Sequence, residues 1–323
     1  MYKDNDITIE TTKNKEYVVK RLECDIIMLF AITLLSTIPL ILSESCTTCV
    51  RSNFSCYNVT YLFDIQAPFR DRIVIHKLGI LRSTNTLFYS FEPNINDEEY
   101  YKVGFINLDD PVNSTVISGG KFIMNFGTFD VDQENGLVYL GGSDGIYVLD
   151  TKSYKVAPYS SRGDSVLSLF YKGHVYFVRN GEYRIVKKKG DNFDVIVEHM
   201  PVKNFVVNRD YVTVFVSMYG LFASKNDETV WLSKNSYFRG LAINLDDEIY
   251  AWWLDGIYKI TIDRNLADSK VEKVIELEDI DALTFDNDNN FMFTSGRSLY
   301  KLLDVNMTLC DDGTSNKKNV TRW

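Results

Sequence analysis

The feature that most constrains this chain is a pair of short motifs that recurs in fixed order. An apolar–aromatic–apolar triplet, varied in the last copy, occurs at Leu87-Phe88-Tyr89, Val138-Tyr139-Leu140, Val175-Tyr176-Phe177, Val214-Phe215-Val216, Ile249-Tyr250-Ala251 and Phe291-Met292-Phe293. A glycine turn into a second strand pattern follows five of the six. It reads Asp144-Gly145-Ile146-Tyr147, Asn180-Gly181-Glu182-Tyr183, Tyr219-Gly220-Leu221-Phe222, Asp255-Gly256-Ile257-Tyr258 and Gly296-Arg297-Ser298-Leu299-Tyr300. The first copy departs, with an acidic stretch at residues 92–99 before Tyr100-Tyr101-Lys102-Val103. The triplet centres fall at 88, 139, 176, 215, 250 and 292, so the intervals are 51, 37, 39, 35 and 42 residues. Runs rich in Val, Ile, Tyr and Phe bounded by Gly, Asn and Asp read as strands. Strand-built units with a period near 40 are propeller blades, and six units predict an all-β, six-bladed β-propeller. A β-sandwich is the competing architecture, but two linked motifs recurring in order disfavour it.

Each unit then reads as four strands, A to D, with A lining a central channel. The candidate A strands are residues 73–75, 128–131, 166–170, 205–207, 241–243 and 282–285. Because successive strands reverse direction, the D-to-A loops and the B-to-C turns share one face. The scarcity of proline, 6 residues, and the 45% hydrophobic content exclude collagen-like, proline-rich and disordered classes. A net charge of −9 supplies no basic footprint for nucleic acid.

The N-terminal region has a different character. Residues 26–42 form a 17-residue run without a charge, followed by Ser43-Glu44-Ser45-Cys46. Small residues at Ser43 and Ser45 suit signal-peptide cleavage before Cys46. The run is short for a membrane span, which needs about 20 residues. The preceding 25 residues carry five basic and six acidic side chains, so the positive leader charge is weak. A cleaved signal is therefore expected, with a signal anchor as its rival and Met28 as an alternative start. Cys46, Cys49, Cys56 and Cys310 remain beyond that site, and Cys24 precedes it. An even number suggests two disulfides, with Cys310 paired to one of the other three and the connectivity open. Five glycosylation sequons, at Asn53, Asn58, Asn113, Asn306 and Asn319, fit a secreted glycoprotein. The expected organisation is a leader (1–45), a Cys-rich tie (46–60), the propeller (61–305) and a tail with Cys310 (306–323).

At Gly141-Gly142-Ser143-Asp144-Gly145-Ile146-Tyr147 the chain resembles the ommochrome-binding proteins of lepidopteran insects. Residues 83–90, Arg239-Gly240-Leu241-Ala242, Asp255-Gly256-Ile257-Tyr258-Lys259, residues 282–290 and the early cysteine cluster extend the resemblance over nearly all of 46–310. It implies a secreted haemolymph carrier of an ommatin or xanthommatin-like pigment, an acidic tryptophan-derived phenoxazinone. A monomer is expected, with no cofactor and no stable membrane contact after cleavage. No residue pattern for the ligand is carried over from the family.

The residues themselves offer a site on the face shared by the D-to-A loops and B-to-C turns. Arg162, Arg179, Arg239 and Arg297 stand on four of those loops, with Tyr219 and Trp253 nearby. Lys203, Tyr237, Phe238, Met218 and Trp252 lie in the same loop classes, and one of the two tryptophans should pack between blades. Arginine pairs with carboxylates and stacks on flat π systems, which suits a planar acidic chromophore. Arg239 and Trp253 are the leading members.

The competing function is a metal-dependent hydrolase of the lactonase or esterase kind. Six-bladed propellers that resemble gluconolactonases hold a divalent cation at the channel mouth through oxygen ligands. Asp164, Asn204 and Asp281 occupy comparable positions, with Asn125 near them, but Arg239 enters the same ring and opposes a cation. G-x-S-x-G and H-E-x-x-H are absent, and Gly141–Gly145 lacks the lysine and helix of a phosphate loop. A carrier is therefore expected over an enzyme.

Overall fold

The computed structural model describes residues 49–51, 56–95, 100–112, 114–117, 125–226 and 228–305. The chain enters through β1 (Cys49–Arg51) and β2 (Cys56–Asp64). The first blade then forms from β3 (Ile75–Leu81), β4 (Thr86–Phe91), β5 (Lys102–Asn107) and β6 (Ser114–Val116). The second is β7 (Phe126–Asp132), β8 (Leu137–Gly142), β9 (Gly145–Asp150) and β10 (Lys155–Ser160). The third is β11 (Val166–Tyr171), β12 (Val175–Arg179), β13 (Arg184–Lys189) and β14 (Asn192–Glu198). The fourth is β15 (Val202–Val207), β16 (Thr213–Ser217), β17 (Gly220–Lys225) and β18 (Glu228–Ser233). The fifth is β19 (Gly240–Ile243), β20 (Ile249–Trp253), β21 (Gly256–Thr261) and β22 (Lys270–Ile275). The last three strands are β23 (Ala282–Phe285), β24 (Phe291–Ser295) and β25 (Ser298–Val305).

These sheets make the six-bladed β-propeller that the repeat requires, with β3, β7, β11, β15, β19 and β23 as the inner strands. The sixth blade is completed from the other end of the chain. Its strand order is β1-β2-β25-β24-β23, so β2 takes the outer position that the fourth strand fills elsewhere. The boundary expected at residue 61 therefore falls within β2. The expected first inner strand, 73–75, lies early as well, because the ladder with β4 begins at Ile75 and runs to Leu81.

Burial follows from the stacking of sheet on sheet. Middle strands are covered on both faces, so every residue of β4 and of β16 is buried. Such strands read as near-continuous apolar runs. The fourth strands face water, and β10 and β18 have no fully buried residue. Between blades, aromatic rings fill the wedge: Phe88 against Phe129, Phe170 against Phe205, and Tyr250 against Phe285 and Phe291. Offset and edge-on ring pairs of this kind add about 0.5–1.5 kcal/mol beyond the area they bury.

The recurrent glycine has a steric cause. Gly256 opens β21 at φ +146°, and a Cβ there would lie 2.1 Å from the Ile275 carbonyl oxygen. Gly220 and Gly145 stand in the same conflict with Ser233 and Ser161 carbonyls, at 2.2 and 2.6 Å. The turn brings the third strand's start against the end of the fourth, and no side chain fits there.

The leader, Cys46, Cys310, Asn53, Asn113, Asn306 and Asn319 lie outside the described residues, as do the side chains of Cys49 and Cys56. Asn58 sits on β2, half-buried. Among the described residues no helix is long and apolar enough to cross a membrane.

Gly256→Ala should lower stability by about 2–3 kcal/mol, since it combines a disfavoured φ with a backbone clash. Gly296 turns the sixth blade at φ +58°, and a Cβ there would have open space for 4 Å around it. Gly296→Asn should therefore cost less than about 1 kcal/mol. Urea unfolding of both variants checks the difference; equal losses would remove the steric account.

Candidate functional site

The inner strands enclose a central cavity of about 530 Å³. That is within the range of roughly 300–1,000 Å³ usual for small-ligand pockets. Its walls include Phe170, Phe205 and Phe285 from β11, β15 and β23, and its mouth lies among the turns joining the first and second strands of the blades. These A-to-B turns are on the face opposite the one singled out from the sequence.

Deep in the channel, Lys77 of β3 meets Asp130 of β7 at 3.7 Å. Lys77 Nζ also donates to the Leu169 carbonyl at 3.0 Å, and Asp130 accepts from the Tyr171 backbone N–H at 2.7 Å. Burial pushes the Lys77 ammonium below its ordinary pKa and the Asp130 carboxyl above its own, while their mutual attraction opposes both shifts. Asn204 is committed as well, its Oδ1 accepting from the Leu241 N–H at 3.0 Å.

The mouth is framed by a belt of side chain-to-backbone hydrogen bonds between blades. Arg82 N–H donates to Gln133 Oε1 at 3.0 Å, linking blades one and two. Arg209 N–H donates to Asp247 Oδ2 at 2.7 Å, and Lys172 Nζ reaches Asp247 Oδ1 at 3.2 Å. Leu245 N–H donates to Asn289 Oδ1 at 3.0 Å, and Asn287 Nδ2 donates back to the Arg82 carbonyl at 3.3 Å. The turns are themselves held by Asx contacts. Asp132, Asn208, Asn244 and Asp286 each accept backbone N–H groups from two to four residues on.

The sequence-derived residues do lie at one end of the ring by strand order, but most of their charges are already matched. Arg239 Nη1 donates to the Ile280 carbonyl at 2.7 Å and to Asp281 Oδ1 at 3.0 Å. Arg179 Nε lies 2.8 Å from Asp164, an ionic contact without good hydrogen-bond alignment, and Nη1 lies 3.4 Å from Glu182. Its guanidinium also covers the Phe177 and Phe193 rings. Arg297 Nε pairs with Asp64 at 3.1 Å. Arg162 and Tyr219 are exposed. Trp253 is partly buried and stacks on Tyr237 with ring centres 5.4 Å apart. Trp252 is the inter-blade tryptophan: it is buried among Leu283, Phe285 and Phe293, and its Nε1 donates to the Asp281 carbonyl. Lys203, Met218 and Tyr237 are exposed and Phe238 is buried.

The proposed cation ligands do not fit a divalent metal. Asp281 is held by Arg239 and by the Gly296 N–H at 2.8 Å, and Asp164 by Arg179. Burial pushes the Asp281 carboxyl above its ordinary pKa, against the pull of Gly296 and Arg239. Asn125 Oδ1 accepts the Tyr101 N–H at 2.7 Å. Two guanidinium groups thus stand where a cation would need to be. Among the described residues no three His, Cys, Asp or Glu side chains form a metal-holding group.

The mouth residues Arg82, Lys172, Arg209 and Asp247 did not emerge from the sequence as candidates. A usable signal was present, since Asp or Asn recurs at or just past the end of four inner strands, at 132, 208, 244 and 286. It marks the turns that build the mouth, but not which side chains remain uncommitted there.

No family model matches the chain. The ommochrome-binding protein of Manduca sexta is 29% identical over 238 residues, spanning 71% of this chain and 83% of that protein. The resemblance read from the motifs is thus borne out by direct sequence similarity. Among solved structures, a gluconolactonase from Xanthomonas campestris superposes with a TM-score of 0.56 at 11% identity, covering 77% of this chain and 90% of that one. A streptogramin B lyase superposes with a TM-score of 0.51 at 11% identity, covering 77% and 98%. At such identities the likeness is one of fold.

Arg179 has the surroundings of a structural residue. Arg179→Ala should lower stability by about 1–2 kcal/mol, through loss of its ring contacts and its two carboxylate partners. Thermal and urea unfolding provide the measurement, and an unchanged midpoint would return Arg179 to the pool of groups free to bind a ligand.

Proposed function

We propose that this chain is a secreted carrier that binds an ommochrome-type pigment non-covalently in the channel of its propeller. The observation that carries the reading is the central cavity, of about 530 Å³, lined by aromatic residues such as Phe170, Tyr171, Phe205 and Tyr211 and by Lys77, Arg82, Lys172 and Arg209. Aromatic and basic residues gathered in one cavity suit a planar acidic chromophore. The similarity to a protein named for ommochrome binding, over most of both chains, supports the pigment class. The apolar run at 26–42 supports export. The lactonase alternative keeps a shared fold, but among the described residues no three His, Cys, Asp or Glu side chains form a metal-holding group.

A second location rests on one observation, the stacked Tyr237–Trp253 pair beside Arg239 on the opposite face. There Arg162, Arg179, Arg239, Arg297, Tyr219 and Trp253 would form the site. Arg239 would first have to exchange Asp281 for the ligand.

Visible-absorbance titration with xanthommatin separates the two. Thr284 lines the channel and is half-buried. Thr284→Trp should reduce affinity at least tenfold, about 1.4 kcal/mol, with the fold checked by circular dichroism. Arg239→Ala should leave affinity within about twofold, and EDTA should leave it unchanged. Tenfold weakening in Arg239→Ala with full binding in Thr284→Trp would move the site to the opposite face. No binding to wild type would end the carrier reading, and binding lost to EDTA would revive the metal alternative.

A further inference from the structure

We infer that the A-to-B-turn mouth of the channel is an anion site, in which the Arg82 guanidinium receives the carboxylate of a planar aromatic acid lodged in the cavity. The inference rests on the carrier reading and names the residue and the ligand group that set its selectivity.

Arg82 differs from the arginines that surround the ring. Arg70, Arg179, Arg184, Arg239 and Arg297 each meet a carboxylate. The Arg82 guanidinium makes no hydrogen bond or ion pair with any described residue, and its Nε is out of contact with solvent. Buried donors are nearly always partnered, so the shielded Nε of this half-buried side chain is a donor without its acceptor. Burial accordingly pushes its pKa below the usual arginine value, with no neighbouring carboxylate to restore it.

The backbone under this side chain is built, not loose. Arg82 opens a 3-10 turn, Arg82–Thr84, that ends at Asn85 in the left-handed region, φ 47°. Its N–H is held by Gln133 from the second blade, and its carbonyl accepts Asn287 from the sixth. Gln133 in turn donates to the Ile80 carbonyl at 2.6 Å. Three blades therefore fix where the guanidinium starts, while its own donors remain uncommitted. A fork of donors on a fixed stem is suited to bidentate carboxylate recognition.

The other charges at the cavity sharpen the case. Asp130 is matched by Lys77 and the Tyr171 N–H, and Asp247 by Lys172 and the Arg209 N–H. Asp132 is spent on its own turn, accepting from Glu134 N–H, Asn135 N–H and Asn135 Nδ2. Glu134 is an exposed carboxylate on the rim. Arg82 and the exposed Arg209 are the basic groups lining the cavity without a carboxylate among the described residues. The chain is acidic overall, yet of the cavity-lining charged side chains with neither an ion pair nor a hydrogen bond among the described residues two are arginines, Arg82 and Arg209, against one carboxylate, Glu134.

The test compares xanthommatin with its carboxyl-esterified form by absorbance titration, on wild type, Arg82→Gln and Arg82→Lys. Wild type should bind the acid at least tenfold more tightly than the ester. Arg82→Gln should erase that preference while holding ester affinity within about twofold, and Arg82→Lys should retain part of it. An undiminished acid preference in Arg82→Gln overturns the anion site and leaves the carrier reading standing. If wild type binds neither form, the carrier reading fails on its own. Benzoate then tests the mouth separately: a rise in Tm in wild type that Arg82→Gln abolishes supports the anion site, and no rise or an equal rise overturns it. Should Arg82→Gln not fold, as judged by circular dichroism, the same ratios are read on Arg82→Lys, where a full acid preference overturns the site.

Discussion

Ring closure is the constraint on which this structure depends. A stack of twisted sheets leaves an apolar face bare at each end, and only a closed circle covers both. Closure here is made by pairing β2, from the start of the described chain, with β25 from its end, in register from Cys56–Val305 to Asp64–Ser298. One antiparallel ladder therefore joins residues more than 230 positions apart. Pairing across such a separation carries a loop-closure cost in entropy that the ladder and the inter-blade packing must outweigh. It also places β23 beside β3, so that the sixth inner strand meets the first. The channel exists because those six inner strands converge without meeting at the axis.

Convergence has an electrostatic consequence. Each blade sends one turn to the channel mouth, so side chains distant in sequence are brought into one small volume of reduced polarity. Charges there are strongly coupled to their nearest partners, and the structure matches most of them one to one. Lys77 with Asp130 and Lys172 with Asp247 are such matches. A net charge of −9 spread over the whole chain says little about this region. What decides the local field is which groups are left over, and at the mouth these include the half-buried Arg82, whose Nε is out of contact with solvent.

The fold was legible because its signals are local and repeated. Gly145, Gly220 and Gly256 recur because each turn meets the same carbonyl obstruction, and the aromatic triplets recur because each second strand is buried on both faces. The outer strand β2 was less legible, since its partner lies at the far end of the sequence and no repeat marks it. The site was legible in part. Arg239 was seen to oppose a cation at Asp281, and the structure joins these two residues in an ion pair. The partners of Arg179 and Arg297 could not be read off: Asp164 belongs to a D-to-A loop, and Asp64 reaches Arg297 only through closure of the ring. Whether a surface arginine is spent or available is a three-dimensional property, so loop class alone placed four arginines on one face and did not show how few were free.

The same distinction bears on binding against catalysis. An active site keeps groups with unsatisfied chemistry, such as a base without its acid or a metal with an open position. In this channel Lys77 and Asp130 answer each other, and backbone groups complete both of their environments. Neither is positioned to trade protons with a ligand without breaking that pair. The Arg82 guanidinium, uncommitted among the described residues, holds its proton at any physiological pH and serves as a donor and a charge but not as a general base. A cavity that gathers aromatic residues, a matched Lys77–Asp130 pair and an Arg82 without a carboxylate among the described residues has the means to hold and orient an anion.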